Sequence, residues 1–150
     1  EASNGVDTIT DFVSTSDDLI VTAFITAPAA NEVVITTAGA QQALVDDRAY
    51  IISMNGAAAN LTTGAAATLT TSDMTASTLT ALAAYLSERF TAATNDNDVF
   101  AINWTAGGST TTYIYNFVDA GGATIAAAEL TLVGVVSRGT AVLVAGDLNA

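Results

Sequence analysis

Apolar and polar positions alternate in short runs over most of this chain. Val6, Asp7, Thr8, Ile9, Thr10, Asp11 and Phe12 repeat with a period of two, the pattern of a strand with one buried face. Residues 19–25 and 32–37 are further apolar, β-branched runs, separated by the single proline, Pro28, which marks a break. Residues 49–54 read as a strand that ends at Asn55-Gly56, and the Ala/Thr/Gly-rich stretch 57–71 reads as loop. The period then changes. Leu79, Leu82, Leu86 and Phe90 recur at spacings of three and four, which predicts a helix over about 73–90 capped by Ser72 or Asp73. Beyond it, 99–104 and 110–118 flank Ala106-Gly107-Gly108-Ser109 as a hairpin, and 129–136 and 141–145 are two more strands.

These elements predict a mainly β, β-rich α+β fold: an antiparallel meander or sandwich with one amphipathic helix packed on it. They also divide the chain. Residues 1–47 hold three strands too short to make a domain alone, and 48–150 form a compact module. The apolar, almost uncharged strands at 19–26 and 32–37 are templates for pairing, either within their own sheet or with a neighbouring subunit. The second arrangement is the expectation for 1–47.

Composition narrows the chemistry. The chain has no Cys, no His and no Lys, and Arg48, Arg89 and Arg138 face fifteen Asp and Glu, for a net charge of −12. The usual nucleophilic thiol, imidazole base and Schiff-base amine are therefore missing. So are the ligands that transition metals favour. Carboxylate and carbonyl oxygens remain, the donor set of Ca²⁺. Nothing cationic is present to displace counterions from nucleic acid, and no run approaches the ~20 apolar residues of a membrane helix. The expectation is a protein with no nucleic-acid partner, no membrane insertion and no enzyme activity.

Two stretches resemble a known family. Gly5, Asp7, Ile9, Asp11 and Phe12, followed by Asp18 and Ile20, resemble the segment that closes the calcium-binding β-roll of RTX-type proteins. From Ala49 onward the chain resembles the C-terminal module of type I secreted bacterial proteins. That likeness lies in Ala49-Tyr50-Ile51, the Leu-rich helix ending at Phe90, the run from Asp96 to Asn103, and Thr111-Thr112-Tyr113-Ile114-Tyr115. It continues in Asp119-Ala120-Gly121-Gly122 and Ala128-Glu129-Leu130-Thr131-Leu132. The resemblance implies export through an uncleaved C-terminal signal. The G-G-x-G-x-D nonapeptide of the β-roll itself is absent, so the repeats either precede this chain in a longer precursor or were dispensed with. Members of the wider group include surface-layer proteins, adhesins and filament-like polymers. Others are proteases or lipases with active sites outside this module.

Three acidic clusters are candidate Ca²⁺ sites. Asp7 and Asp11 share one strand face, with Asp17 and Asp18 just beyond; the alternative is a solvated acidic edge that discourages pairing. Asn95, Asp96, Asn97 and Asp98 bring four oxygen-bearing side chains to one turn, with Asn95, Asp96 and Asp98 as the ligands, although Asn and Asp also favour turns for their own hydrogen bonds. Asp119 to Glu129 opens and closes like an EF-hand loop, but it is one residue short and its middle acidic positions are Gly121 and Ala123. Pairs such as Asp46 and Asp47 could serve a glycosidase, but adjacent acids in turns are ordinarily solvated. Tyr113 and Tyr115 share a strand face and should pack against the helix.

The function expected from these features is that of a secreted, calcium-binding, RTX-like structural protein. It would leave by a type I-like route and self-assemble at the bacterial cell surface into an S-layer or filament, as a homo-oligomer joined through strand edges and bridged by Ca²⁺. Two alternatives stand beside it: a passive export module of a larger RTX-type enzyme or adhesin, and a small adhesin domain with a carbohydrate site near Trp104.

Overall fold

The structure is a computed structural model that describes residues 6–14, 16–21, 24–25, 30–32, 41–55, 69–92, 96–137, 139, 141–144 and 147–149. Its strands are β1 (Asp7–Ile9), β2 (Leu19–Ile20), β3 (Ala30–Glu32), β4 (Gln42–Ala43), β5 (Ala49–Asn55), β6 (Phe90–Thr91), β7 (Asn97–Ala106), β8 (Ser109–Val118), β9 (Leu130–Ser137) and β10 (Leu148–Asn149). One α-helix, α1 (Thr80–Arg89), lies between β5 and β6, with 3₁₀ turns at Thr71–Thr75 and Ala127–Glu129. The fold is mainly β with one helix, as the apolar patterning predicts.

Six strands form one sheet in the order β1-β9-β8-β7-β5-β3. The expected meander is its middle. β7 and β8 pair antiparallel over their full length around Gly107 and Gly108. Both glycines have positive φ, +59° and +82°, as a two-residue hairpin turn requires. β8 pairs antiparallel with β9, and a bulge at Val133 separates the pairs Ile114–Gly134 and Tyr115–Leu132. The sheet is nevertheless mixed, because β1 runs parallel to β9, and β5 parallel to both β3 and β7. The reason is the connection: α1 lies between β5 and β7, and parallel neighbours need such a crossover.

Each face of the sheet has its own cover. Tyr50, Ile52 and Met54 of β5, Phe100, Ile102 and Trp104 of β7, and Tyr113, Tyr115 and Phe117 of β8 point to the side on which Leu79, Leu82, Leu86 and Phe90 are buried. Tyr50, Phe90, Phe100 and Phe117 stack here with neighbouring ring centroids 5.5–5.8 Å apart. Burying each such side chain is worth roughly 2 kcal/mol. On the opposite face Ala49, Ile51, Val99, Ala101 and Ile114 meet Val21, Ile25, Leu143 and Leu148. That second cover joins the two ends of the chain. β2 pairs with β10, Leu19 opposite Leu148, and the Ser14 hydroxyl donates to both oxygens of buried Asp147, at 3.0 and 2.8 Å.

The structure corrects several expectations. The helix does not run from 73. The 3₁₀ turn at Thr71–Thr75, fixed by the Thr70 amide on Asp73 Oδ2 at 2.7 Å, ends at Ala76 in extended backbone, and α1 begins only at Thr80. The Tyr115 hydroxyl donates to the Met74 carbonyl, an acceptor that a continuous helix would offer to the amide of residue 78. Residues 19–25 are not one strand: β2 stops at Ile20, and the Phe24 and Ile25 amides both turn back to the Val21 carbonyl. No strand forms at 141–144, whose backbone bonds instead to a side chain, Asn103. Of the run 32–37, Glu32 ends β3 and 33–37 lie outside the described residues. The described strands of 1–47 each have a partner within the chain, β1 with β9, β2 with β10, β3 with β5 and β4 with β6, which does not bear on contacts between copies.

Candidate functional site: an acidic end of the sheet

Because β5 and β7 are parallel and β8 is antiparallel to β7, the starts of β5 and β7 and the end of β8 meet at one end of the sheet. Acidic residues stand at all three places. Asp46 and Asp47 precede β5, Asp96 and Asp98 open β7, and Asp119 follows β8. Hydrogen bonds tie them together. The Asp47 amide donates to the Asn97 carbonyl at 2.9 Å, and the Asn97 amide donates to Asp46 Oδ1 at 2.8 Å. The Asp119 amide donates to the Asp96 carbonyl at 2.9 Å. Asp47 adopts φ +71°, the only non-glycine with positive φ among the described residues, so the tight turn before β5 carries local strain.

Asp98 is the centre of this arrangement. It has no exposed surface. It stands opposite Phe117 in the β7–β8 register and, two residues from Phe100, shares its sheet face. Its Oδ1 accepts the Arg48 amide at 3.0 Å, while its Oδ2 is buried with no hydrogen-bond partner among the described residues. Burial pushes its carboxyl up to about 7; the Arg48 amide opposes that shift, and the charges of Asp96, Asp46 and Asp47 add to it. An oxygen of this kind costs free energy unless a proton or a cation meets it.

The other predicted residues are placed differently. Asp96 and Asp119 are buried beside Asp98, whereas Asn95 lies outside the described residues. Asp7, Asp11, Asp17 and Asp18 are exposed. Asp17 Oδ2 accepts the Val13 amide at 2.8 Å, closing a local turn. Glu129, at the far end of the loop from Asp119, spends both carboxylate oxygens on backbone amides, Ala120 at 2.9 Å and Ala126 at 2.7 Å. That carboxylate holds its own loop shut. Asp46 and Asp47, which sequence reasoning set aside as a solvated pair, are the members it missed. Their proximity to Asp96 and Asp98 follows from parallel pairing across 50 residues, which no local pattern reports. As the side chains lie, no group of three or more Asp or Glu among the described residues is spaced to hold a metal ion.

Two further features bear on function. Trp104 is 3% exposed and its indole N–H donates to Thr71 Oγ1 at 3.0 Å, so neither ring face is open to a sugar. A shallow cavity of about 580 Å³ lies between the segment 75–80 and residues 127–132, lined by Val6, Thr75, Leu79, Leu130, Thr131 and Leu132 among others. Its lining holds hydroxyls and aliphatic groups but no titratable side chain. No helix among the described residues is long and apolar enough to cross a membrane. Compared with protein-family models, with curated proteins and with solved structures, the chain matches none.

Proposed function

We propose that this chain is a non-enzymatic structural module of the bacterial cell surface, exported by a type I-like route, that joins copies of itself along the open edges of its sheet in calcium-containing medium. One observation carries the reading. The six-stranded sheet ends in β1 and β3, three-residue strands with no partner on their outer sides among the described residues. Unpaired edges are sites of strand addition. Val6, which precedes β1, is 46% exposed, an apolar side chain for a neighbour to cover. The lack of Lys, His and Cys and the resemblance of the region from Ala49 onward to type I secreted modules support export. Ca²⁺ would offset the repulsion between copies that each carry −12.

The test is negative-stain microscopy and sedimentation of the purified chain in millimolar CaCl₂ and in chelator, beside a Val6→Lys variant. Ordered sheets or filaments from the parent, lost when a lysine stands at the β1 edge, are the expected result. A monodisperse monomer of the parent in both buffers overturns the reading.

A further inference from the structure

The acidic end of the sheet contains a buried carboxylate oxygen that no hydrogen-bond donor among the described residues meets, with further carboxylates on the adjoining turns. We propose that Asp98, with Asp46, Asp47 and Asp96 around it, binds one Ca²⁺ within a single chain, clamping the turn before β5 to the first residues of β7. This inference rests on the calcium part of the reading above and changes it: the ion is internal to the fold and does not bridge subunits.

Three arguments support the site. Asp98 is fully buried, and its Oδ2 has no hydrogen-bond partner among the described residues; a buried acceptor of that kind calls for a cation or a proton. Carboxylate residues are also tied to the start of β7 beside it, since Asp46 Oδ1 accepts the Asn97 amide and the Asp119 amide donates to the Asp96 carbonyl. Lastly, the ligand chemistry is oxygen throughout, which suits Ca²⁺ with its six to eight oxygen ligands drawn from carboxylates, carbonyls and water. The carboxylates do not yet stand at coordination spacing, so the ion has to draw them in. Asp46 is exposed and Asp47 half-buried, and Asp46 spends only Oδ1 on the Asn97 amide. Both residues are held beside β7, Asp47 by its backbone amide on the Asn97 carbonyl and Asp46 by its side chain on the Asn97 amide. The strained turn at Asp47 is thus the element the ion would secure.

The experiment is a CaCl₂ titration of the full chain, followed by calorimetry and thermal unfolding at two protein concentrations, with NaCl at matched ionic strength as the control for general screening. The expected result is saturable binding of one ion per chain and a rise in Tm that NaCl does not reproduce and that is independent of protein concentration. Asp98→Asn, which keeps the shape and an acceptor for the Arg48 amide, should weaken binding by about tenfold or more. Asp46→Asn, at an exposed position that leaves the core untouched, should weaken it in the same direction. The double variant Asp7→Asn/Asp11→Asn should bind as the parent does. A calcium effect that equals that of NaCl, or that survives unchanged in both Asp98→Asn and Asp46→Asn, overturns the site. Assembly that proceeds in chelator while no ion binds sinks the site and leaves the structural reading standing. One bound ion on a chain that stays monomeric does the reverse.

Discussion

Asn103 and Leu143, forty residues apart in sequence, are joined through both polar atoms of one side chain. Asn103 Oδ1 accepts the Leu143 amide at 2.9 Å, and Nδ2 donates to the Leu143 carbonyl at 2.8 Å. Thr112 Oγ1 adds a third bond, to the same Oδ1, at 2.7 Å. Asn103 is 1% exposed, so its amide group serves 141–144 as the backbone of a neighbouring strand would. Asn103→Leu leaves the Leu143 N–H and C=O without their partner in an apolar layer, and should cost about 3 kcal/mol in urea unfolding. Amide exchange at Leu143 should accelerate toward that of an unprotected group. Thr112→Val removes only one of the two donors to Oδ1 and should cost about 1 kcal/mol. Equal losses in the two variants would show that Asn103 does not anchor the segment.

Asp98 should destabilise the fold when its charge is uncompensated. In chelator at pH 8, Asp98→Asn removes a buried charge with an unmet oxygen, and the variant should be more stable than the parent by on the order of 2 kcal/mol. Saturating CaCl₂ should reverse the order, because only the parent gains. Chemical denaturation in the two buffers reads both signs. A variant less stable than the parent in chelator would mean that the buried oxygen is met by something in the folded chain.

Glu129 is expected to be structural. Glu129→Ala deprives the Ala120 and Ala126 amides of their acceptor and should lower stability by about 2 kcal/mol, with faster exchange at those two amides. Its calcium affinity should match the parent's. A loss of affinity comparable to that of Asp98→Asn would bring Glu129 back into the ion's ligand set.

The buried tyrosines predict how the fold fails in alkali. Tyr85 is pushed up to about 12, chiefly by burial against an opposing pull from Arg89. Burial raises Tyr115 further. In the unfolded chain tyrosine ionises near pH 10, so the folded state holds these protons more tightly. Their contribution is whole below about pH 10 and is lost as the pH climbs through the folded-state values. Stability measured between pH 9 and 12 should fall steeply. Tyr115→Phe should flatten part of that slope while losing about 1 kcal/mol at pH 7 with its bond to Met74. A parallel slope in parent and variant would refute the assignment.

The sequence makes local elements legible and leaves their pairing obscure. Gly107-Gly108 announces a hairpin because its backbone needs positive φ at both positions, and Leu82, Leu86 and Phe90 announce a helix face because they repeat with its period. The direction in which β5 pairs with β7 is set by the crossover between them, which no period encodes. The start of α1 is hidden for a similar reason: the Tyr115 hydroxyl that donates to the Met74 carbonyl comes from 41 residues away. Residues 141–144 carry a good β-branched pattern, yet their partner is an amide side chain. The candidate site was half visible. Asp96, Asp98 and Asp119 stand out as acids at turns, whereas Asp46 and Asp47 join them only once the sheet is assembled.

The pairing of β2 with β10 also sets a timetable. Leu19 leaves the ribosome long before Leu148, and its strand has no partner until the last residues of that pair are made. Leu143 and Leu148, half of the cover over Ala49, Ile51, Val99 and Ala101, arrive equally late. The β7–β8 hairpin and α1 are complete well before that. A nascent chain therefore displays one finished side of its sheet and one bare side until residues 141–149 have been made and Asn103 captures Leu143.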